Sequence, residues 1–246
     1  MIVYYAMGGG LGHATRARRV LEALRIDDAT IVASCKPDPR VTGRYRVADS
    51  LDGLDPERII VDTFPLGLKG ELGGVDAPLD YVARLLKWDE YRRCVPGDLP
   101  HFDTMYVVEP VTHSVPCDQI VELTLNSARC PPLAARDPYW LVVHSGPEEE
   151  VKDLIAYAEE LQRIEHDRSE IVVVSQCGIG LDLIPASALF TNAKRIVSAA
   201  GFNVMLETEP YRDKHHILPM PRRFDDQFAR AARRRYDSSS RICAAR

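Results

Sequence analysis

The chain has 246 residues, of which 46% are hydrophobic and 27% charged, and its formal net charge is −5 at pH 7. This length can build one large domain or two small ones, each with a core of its own. The acidic balance argues against general binding to nucleic acid, and no stretch approaches the roughly 18 apolar residues of a membrane span.

The six cysteines are scattered along the chain, and none falls in a C-x-x-C pair. This spacing argues against a structural zinc site. The N-terminal run Met1–Met7 lacks the basic segment that opens a secretory signal. We therefore expect reduced thiols and a cytoplasmic location.

The first half of the chain predicts strands alternating with helices. A buried strand over 2–6 runs into glycines, and a helix over 14–24 follows, with apolar residues at i, i+3, i+4 and i+7. The other elements predicted in this half are strands at 30–34, 58–61, 104–108 and 119–125, a loop over 63–74, and a helix over 78–93.

Prolines at 131, 132 and 138 mark residues 130–138 as a linker, after which the pattern restarts. The elements predicted beyond it are strands at 139–143, 170–175, 195–197 and 216–219, and helices at 148–163, 202–208 and 223–235. Strands that alternate with helices favour parallel sheets covered on both faces. We therefore predict two α/β domains, at 1–130 and 139–246.

The loop after the first strand places glycines at the start of a helix, which is a general arrangement for binding anions. Gly8 and Gly10 fit the dinucleotide fingerprint G-x-G-x-x-G, but His13 occupies its third glycine position. The second predicted strand also lacks an acidic residue for a ribose. Dinucleotide binding is therefore disfavoured.

His13 is predicted at the first turn of that helix, at the carboxyl edge of the sheet, where open α/β folds bind ligands. A neutral imidazole there can accept a proton from a hydroxyl group. Alternatively, His13 caps the helix or bonds to a loop carbonyl. The spacing alone does not choose between these interpretations.

Three stretches carry a resemblance to a known family. Residues Gly8–Arg16, with the sequence GGGLGHATR, resemble the G-G-x-x-G-H loop of MurG-type N-acetylglucosaminyltransferases, of the glycosyltransferase family 28 type. Residues 198–207, SAAGFNVMLE, resemble the family's S-G-A-x-x-x-x-E stretch, and the following 217–227 resemble its strand, proline and D-x-x-Q segment. A weaker match is 142–146, where the family has a glycine–serine turn.

The resemblance implies a compact glycosyltransferase-B type (GT-B) fold, with two Rossmann-like parallel-sheet domains facing a cleft. The first domain would bind an acceptor and the second a nucleotide-sugar donor, by resemblance UDP-linked. His13 would be the catalytic base. Glu207 would hold the ribose hydroxyls, and Asp226 and Gln227 the sugar. The remaining nucleotide- and phosphate-binding residues would be Gly10, Gly12, Ser145, Gly201, Phe202 and Asn203.

Plainer roles exist for some of these residues. Glu207 could be an exposed charge at a helix end, and Asp226 and Gln227 could supply helix-capping polarity. Arg222 and Arg223 could add positive charge near phosphates, or belong to a solvated basic face. These alternatives stay open at this point.

The chain contains no D-x-D pair, the usual holder of Mg²⁺ or Mn²⁺ in metal-dependent sugar transferases. The neighbouring His215 and His216 point to opposite faces of a strand and make a poor metal pair. We therefore expect a metal-independent reaction and no cofactor.

The loop over 63–72 carries glycines and apolar residues. A packed loop is the favoured interpretation. It could instead close over an acceptor or rest on a membrane surface, which would give peripheral contact at the inner membrane face.

The sequence thus predicts a hexosyltransferase-type enzyme, inverting, that moves a sugar from a nucleotide diphosphate to an acceptor it does not identify. A hydrolase or epimerase acting on a UDP-sugar is one alternative. A non-catalytic nucleotide-sugar-binding module or partner subunit is another. The sequence gives no prediction of oligomeric state.

Overall fold

The computed structural model describes residues 1–8, 10–34, 36–126, 131–133 and 137–244, with side chains as far as Tyr236. It divides into two compact units. The first comprises Met1–Asn126 together with Arg223–Asp226, and the second comprises the remaining described residues. The predicted domain boundaries assigned those four returning residues to the second domain.

The first unit is built on a seven-stranded sheet of order β3-β2-β1-β4-β5-β6-β7, in which every neighbouring pair is parallel. Its strands are β1 Ile2–Tyr5, β2 Ala29–Val32, β3 Arg46–Ala48, β4 Arg58–Asp62, β5 Leu79–Ala83, β6 Phe102–Val107 and β7 Cys117–Glu122. Its helices are α1 Leu11–Ala23, α2 Pro39–Thr42 and α3 Trp88–Cys94. The order reverses between β1 and β4, and this topological switch point opens a crevice at the carboxyl ends of the strands.

The second unit contains a four-stranded parallel sheet of order β11-β10-β8-β9. Its strands are β8 Tyr139–Val143, β9 Ile171–Val174, β10 Ala193–Ser198 and β11 His215–Ile217. Its helices are α4 Glu148–Glu165, α5 Phe202–Glu207 and α6 Gln227–Ala244, with 3-10 turns at Ala186–Leu189 and Glu209–Lys214. Here the order reverses between β8 and β10.

Helix α1 forms because its apolar residues share one face. Ala14, Ala17, Val20 and Leu21 are buried, in agreement with the predicted spacing. The helix begins at Leu11, three residues before the predicted start, and Gly10 precedes it with φ +82°. Glycine adopts this left-handed backbone region without steric cost, which allows the strand to turn sharply into the helix.

The predicted helix over 78–93 is wrong in its first part. Residues Leu79–Ala83 form β5, and all five are buried in the interior of the sheet. Only Trp88–Cys94 is helical. Burial on both faces removes the alternation of apolar and polar residues, and here even Asp80 is buried, so the periodicity of this strand cannot be distinguished from that of a buried helix. The short strand β3 was not predicted.

The loop after β4 is packed, as the favoured interpretation predicted. Phe64, Leu66 and Leu72 are all at most 5% exposed. Glu71 ties the loop internally by accepting from the amides of Leu68 and Lys69. The apolar side chains of this loop are therefore core residues of the first unit.

Two further predictions concern the linker and membrane-spanning segments. Of the predicted linker, residue 130 and residues 134–136 lie outside the described residues, and those described form neither helix nor strand. Among the described helices, none is long and apolar enough to cross a membrane.

The packing of α1 on the first sheet predicts a large stability difference between two aliphatic truncations. Leu21 is fully buried, and Leu21→Ala should lower the free energy of unfolding by about 2–5 kcal/mol through lost transfer energy and a residual cavity. Ile120 in the same unit is 63% exposed, and Ile120→Ala should cost less than about 0.5 kcal/mol. Urea denaturation measures both, and equal midpoints would contradict this account of the core.

Candidate active site

The carboxyl end of β4 carries the most heavily bonded carboxylate of the first unit. Asp62 is fully buried, and its oxygens accept from Arg16 Nε at 2.7 Å and Arg16 Nη2 at 2.5 Å. The Tyr4 hydroxyl donates to it at 3.1 Å, and His13 Nδ1 lies 2.5 Å from Oδ2. Asp62 therefore holds an arginine and a histidine at the switch point of the sheet.

Helix α1 explains why these partners converge. His13 and Arg16 are three residues apart, so their side chains lie on the same face of the helix. Both are buried, although each is polar. The buried face of α1 is thus apolar along its later turns, and it carries His13 and Arg16 in its first two turns, where it meets the end of β4.

The Asp62 contact fixes the tautomer of His13. An ionised carboxylate can only accept, so Nδ1 carries the hydrogen and Nε2 keeps its lone pair. Arg16 Nη2 lies 3.2 Å from the same Nδ1, but a protonated nitrogen cannot accept, and its bonds to Asp62 and Thr63 satisfy the guanidinium. Among the residues that the structure describes, none is hydrogen-bonded to Nε2.

Glycine at position 8 makes room for the imidazole. A Cβ atom at Gly8 would lie 2.4 Å from His13 Nε2, closer than non-bonded atoms approach. The ring also stacks on Phe64, with centroids 5.6 Å apart. Gly8 and Phe64 therefore hold the two sides of a ring that Asp62 orients from its edge.

Charge around the pair favours a neutral imidazole beside an ionised carboxylate. Burial lowers the pKa of His13 from 6.5, Asp62 partly offsets this, and Arg16 and Arg84 lower it further. Burial alone would raise the pKa of Asp62, but Arg16 and His13 hold it far below its usual range. His13 can therefore accept a proton at Nε2 at neutral pH.

Thr63, the next residue, has a strained backbone. Its φ is +70°, a region that β-branched residues rarely adopt. The residue is fully buried, and its Oγ1 accepts from Arg84 Nε at 2.9 Å and from Arg16 Nη2 at 3.2 Å. Strain of this kind persists where surrounding contacts enforce it, and it is common at functional sites.

The predicted residues of the first unit lie at the start of α1. Gly10 is the residue before the helix and Gly12 is in its first turn, next to His13. The alternative in which His13 bonds to a loop carbonyl is not what the structure shows, because its bonded partner is the Asp62 side chain.

In the second unit, Gly201 precedes α5, and Phe202 and Asn203 open that helix, which has no acidic residue in its first turn. Phe202 is buried, and Asn203 is half-buried. Glu207 is the last residue of α5 and is half-buried.

Gln227 is buried and bonded to the loop before α5. Its Oε1 accepts from the amide of Ala200 at 3.2 Å and from the amide of Met220 at 3.0 Å. Because both partners donate, the oxygen is assigned without ambiguity and Nε2 points away as a donor. Asp226 beside it is half-buried. Gln227 thus ties the loop before Gly201 to the end of the last strand.

Ser145 is exposed in the turn between β8 and α4. The neighbouring His144 lies 2.6 Å from Glu150, which in turn pairs with Arg222 at 2.5 Å. The first turn of α4 carries Glu148, Glu149 and Glu150. These charges make the start of α4 less suited to an anion than the start of α5.

Sequence reasoning missed Asp62, Thr63 and Arg84, and treated Arg16 only as part of a motif. An acidic residue directly after the apolar run Ile59–Val61 was a usable signal, because carboxyl ends of parallel strands share one edge. The adjacency of β1 and β4, which brings Asp62 to His13, depends on topology that the sequence pattern does not contain.

No protein-family model and no curated protein matches this chain. Among solved structures, it is similar to the spinosyn rhamnosyltransferase SpnG complexed with thymidine diphosphate. The TM-score is 0.56 at 14% sequence identity, over 90% of this chain and 81% of that one. The likeness shows the fold alone: the chain has an α/β fold of the glycosyltransferase-B type, and the predicted fold class is confirmed.

Thr63 also receives support from a buried histidine. The Tyr81 hydroxyl donates to the Thr63 carbonyl at 2.8 Å, and His113 Nε2 lies 3.0 Å from that hydroxyl. The His113 ring stacks on Trp88 at 4.6 Å, and its buried Nδ1 has no hydrogen-bond partner among the residues that the structure describes. Burial lowers the pKa of His113 to about 4.

This lowered pKa predicts a pH dependence of stability. Between its usual pKa of 6.5 and about 4, His113 is protonated in the unfolded chain but not in the folded one. The free energy of unfolding should therefore fall as pH drops through this window, by up to about 1.4 kcal/mol per pH unit for this group. His113→Gln should flatten the slope of stability against pH measured by urea denaturation.

His101→Gln is the matched control, since the His101 side chain is 58% exposed beside Asp118. It should leave the slope as in the wild type. Identical slopes for all three proteins would refute the assignment to His113.

Proposed function

We propose that this protein is a glycosyltransferase that moves a sugar from a nucleoside diphosphate sugar to a hydroxyl acceptor. The observation that carries the proposal is the buried His13–Asp62 pair, 2.5 Å apart, at the switch point of a GT-B-type unit. Nε2, the ring nitrogen that is not bonded to Asp62, has the lone pair that deprotonation of a hydroxyl requires.

The proposed step follows from this arrangement. His13 Nε2 accepts the proton of the acceptor hydroxyl while the oxygen of that hydroxyl bonds to the anomeric carbon of the donor sugar. The bond from that carbon to the diphosphate oxygen breaks, and the electron pair leaves with the nucleoside diphosphate. Asp62 stabilises the imidazolium that forms, because the carboxylate already accepts from Nδ1. Attack opposite the leaving group inverts the anomeric centre.

The donor is proposed to bind the second unit. Gly201, Phe202 and Asn203 would contact the diphosphate, and Glu207 would accept from the ribose hydroxyls. Gln227 Nε2 and Asp226 would contact the sugar. The MurG-type resemblance implies a uridine nucleotide, and the similar rhamnosyltransferase is complexed with thymidine diphosphate. We therefore propose a pyrimidine nucleoside diphosphate.

The reaction is proposed to need no metal ion. Among the described residues, no group of three or more histidine, cysteine, aspartate or glutamate side chains could hold one. The absence of D-x-D from the full sequence supports the same proposal.

The base assignment predicts that His13→Ala lowers the rate of sugar transfer by about 10²–10⁴-fold, the usual contribution of general-base catalysis. Affinity for the nucleotide should stay nearly unchanged, because the donor residues proposed here, Gly201–Asn203 and Glu207, belong to the second unit. Turnover, nucleotide affinity and melting temperature are measured on one preparation of the variant.

Full turnover in a folded His13→Ala protein would rule the base out. Assays without an acceptor distinguish the two alternative functions, a UDP-sugar hydrolase and a non-catalytic binding module. Release of free sugar would indicate a hydrolase, and nucleotide binding without any turnover would indicate a non-catalytic module.

The ribose assignment predicts that Glu207→Ala weakens binding of UDP or TDP by about tenfold or more, since a charged hydrogen-bond acceptor contributes about 1.5–3 kcal/mol. Glu159→Ala, which removes an exposed carboxylate from α4, is the control and should bind as the wild type does. Calorimetry on the three proteins measures the effect. Equal affinities for wild type and Glu207→Ala would count against this nucleotide site.

A further inference from the structure

The first unit contains a largely buried ion pair beside the His13–Asp62 pair. Arg84 follows β5 and its Nη1 donates to Asp225 at 2.5 Å. The two side chains are 6% and 17% exposed, so solvent screens the pair only weakly. Asp225 comes from the four-residue segment Arg223–Asp226 that belongs with this unit.

Arg84 connects this pair to the site through Thr63. Its Nε donates to Thr63 Oγ1, which also accepts from Arg16 Nη2. Arg16 in turn binds Asp62, the partner of His13. Every contact in this path is a hydrogen bond between described side chains.

The charges of this buried group balance. Asp62 and Asp225 are negative, Arg16 and Arg84 are positive, and His13 is neutral in the resting state. Removing the charge of Asp225 would leave the Arg84 cation less compensated in a buried position near the imidazole. Arg84 already disfavours protonation of His13.

The segment is also held by its backbone and its aromatic residue. The Phe224 carbonyl accepts from the amide of Lys87 at 2.8 Å, and the Phe224 ring packs against Phe64 at 5.8 Å. Phe64 is the ring on which His13 stacks. Two adjacent residues of the segment thus reach the site by independent routes.

From these contacts we infer that Asp225 is a positioning residue for His13: through Arg84 and Thr63 it holds and electrostatically balances the base. This inference rests on the proposed function for its catalytic meaning. It differs from the sugar-contacting role proposed for the adjacent Asp226 and Gln227, because the Asp225 carboxylate is directed to Arg84 within the first unit.

The electrostatic consequence has a definite sign. The charged and titratable groups facing His13 are Asp62 from β4, Arg16 from α1, Arg84 after β5, and Tyr4 of β1 through Asp62. Asp225→Asn preserves side-chain size and removes one negative charge. The field of Arg84 at His13 is then less compensated, so the imidazolium becomes less stable and the pKa of His13 falls.

The decisive experiment is an NMR titration of the His13 imidazole in the full chain, with the resonance assigned by its loss in His13→Ala. Asp225→Asn should lower the His13 titration midpoint by about 0.5 pH units or more. Asp225→Glu keeps the charge and should titrate near the wild type. Asp28→Asn, which removes a charge from an 82% exposed side chain in the same unit, should leave the midpoint unchanged.

An unchanged His13 midpoint in folded Asp225→Asn, or equal shifts in Asp225→Asn and Asp225→Glu, would overturn the inference. This titration requires no donor or acceptor, so it tests the positioning role of Asp225 even if the wild type transfers no sugar. Absence of sugar transfer by the wild type would contradict the proposed function but not the positioning role of Asp225.

Where transfer is measured, Asp225→Asn should lower kcat and shift the acid limb of the pH–rate profile to lower pH. The donor KM should stay nearly unchanged. A raised donor KM with an unmoved pH profile would instead identify Asp225 as a sugar ligand and overturn its positioning role.

Discussion

The ionised, fully buried carboxylate of Asp62 is the constraint on which the first unit depends. Such a charge is costly away from water unless neighbours compensate it, and here Arg16, Tyr4 and His13 do so together. These partners come from β1 and from the first two turns of α1. The same bonds that make the charge tolerable also fix the position of the helix and select the tautomer of His13.

Around that carboxylate, two positions of the first unit meet steric constraints that the geometry of the site imposes. Gly8 lacks the side chain that would collide with the imidazole, and Thr63 adopts a backbone conformation that its branched side chain disfavours. Tyr81 bonds the Thr63 carbonyl while Arg84 and Arg16 bond its hydroxyl. The second unit repeats one element of this design, since His144 also follows its sheet's switch-point strand and contacts a carboxylate paired with an arginine.

Sequence patterns located most elements because α1, α4 and most strands have clear periodicity or clear glycine and proline boundaries. They failed at β5, where burial on both faces removes alternation, and at the three-residue β3. His13 was correctly predicted at the carboxyl edge of the sheet, because it follows the glycines of the first loop. Asp62, Arg84 and Asp225 were not, because their roles arise from strand order and from a segment 141 residues beyond Arg84.

The return of residues 223–226 to the first unit limits how the chain can be divided. A fragment ending near Asn126 would lack Phe224 and Asp225, leaving a void beside Phe64 and Tyr91 and removing the Asp225 partner of Arg84. Shuffling of whole halves between related chains would encounter the same difficulty, since the segment must match the first half while its flanking residues match the second. The two halves are thus constrained to change together, and a workable chimera would need to graft these four residues with the N-terminal portion.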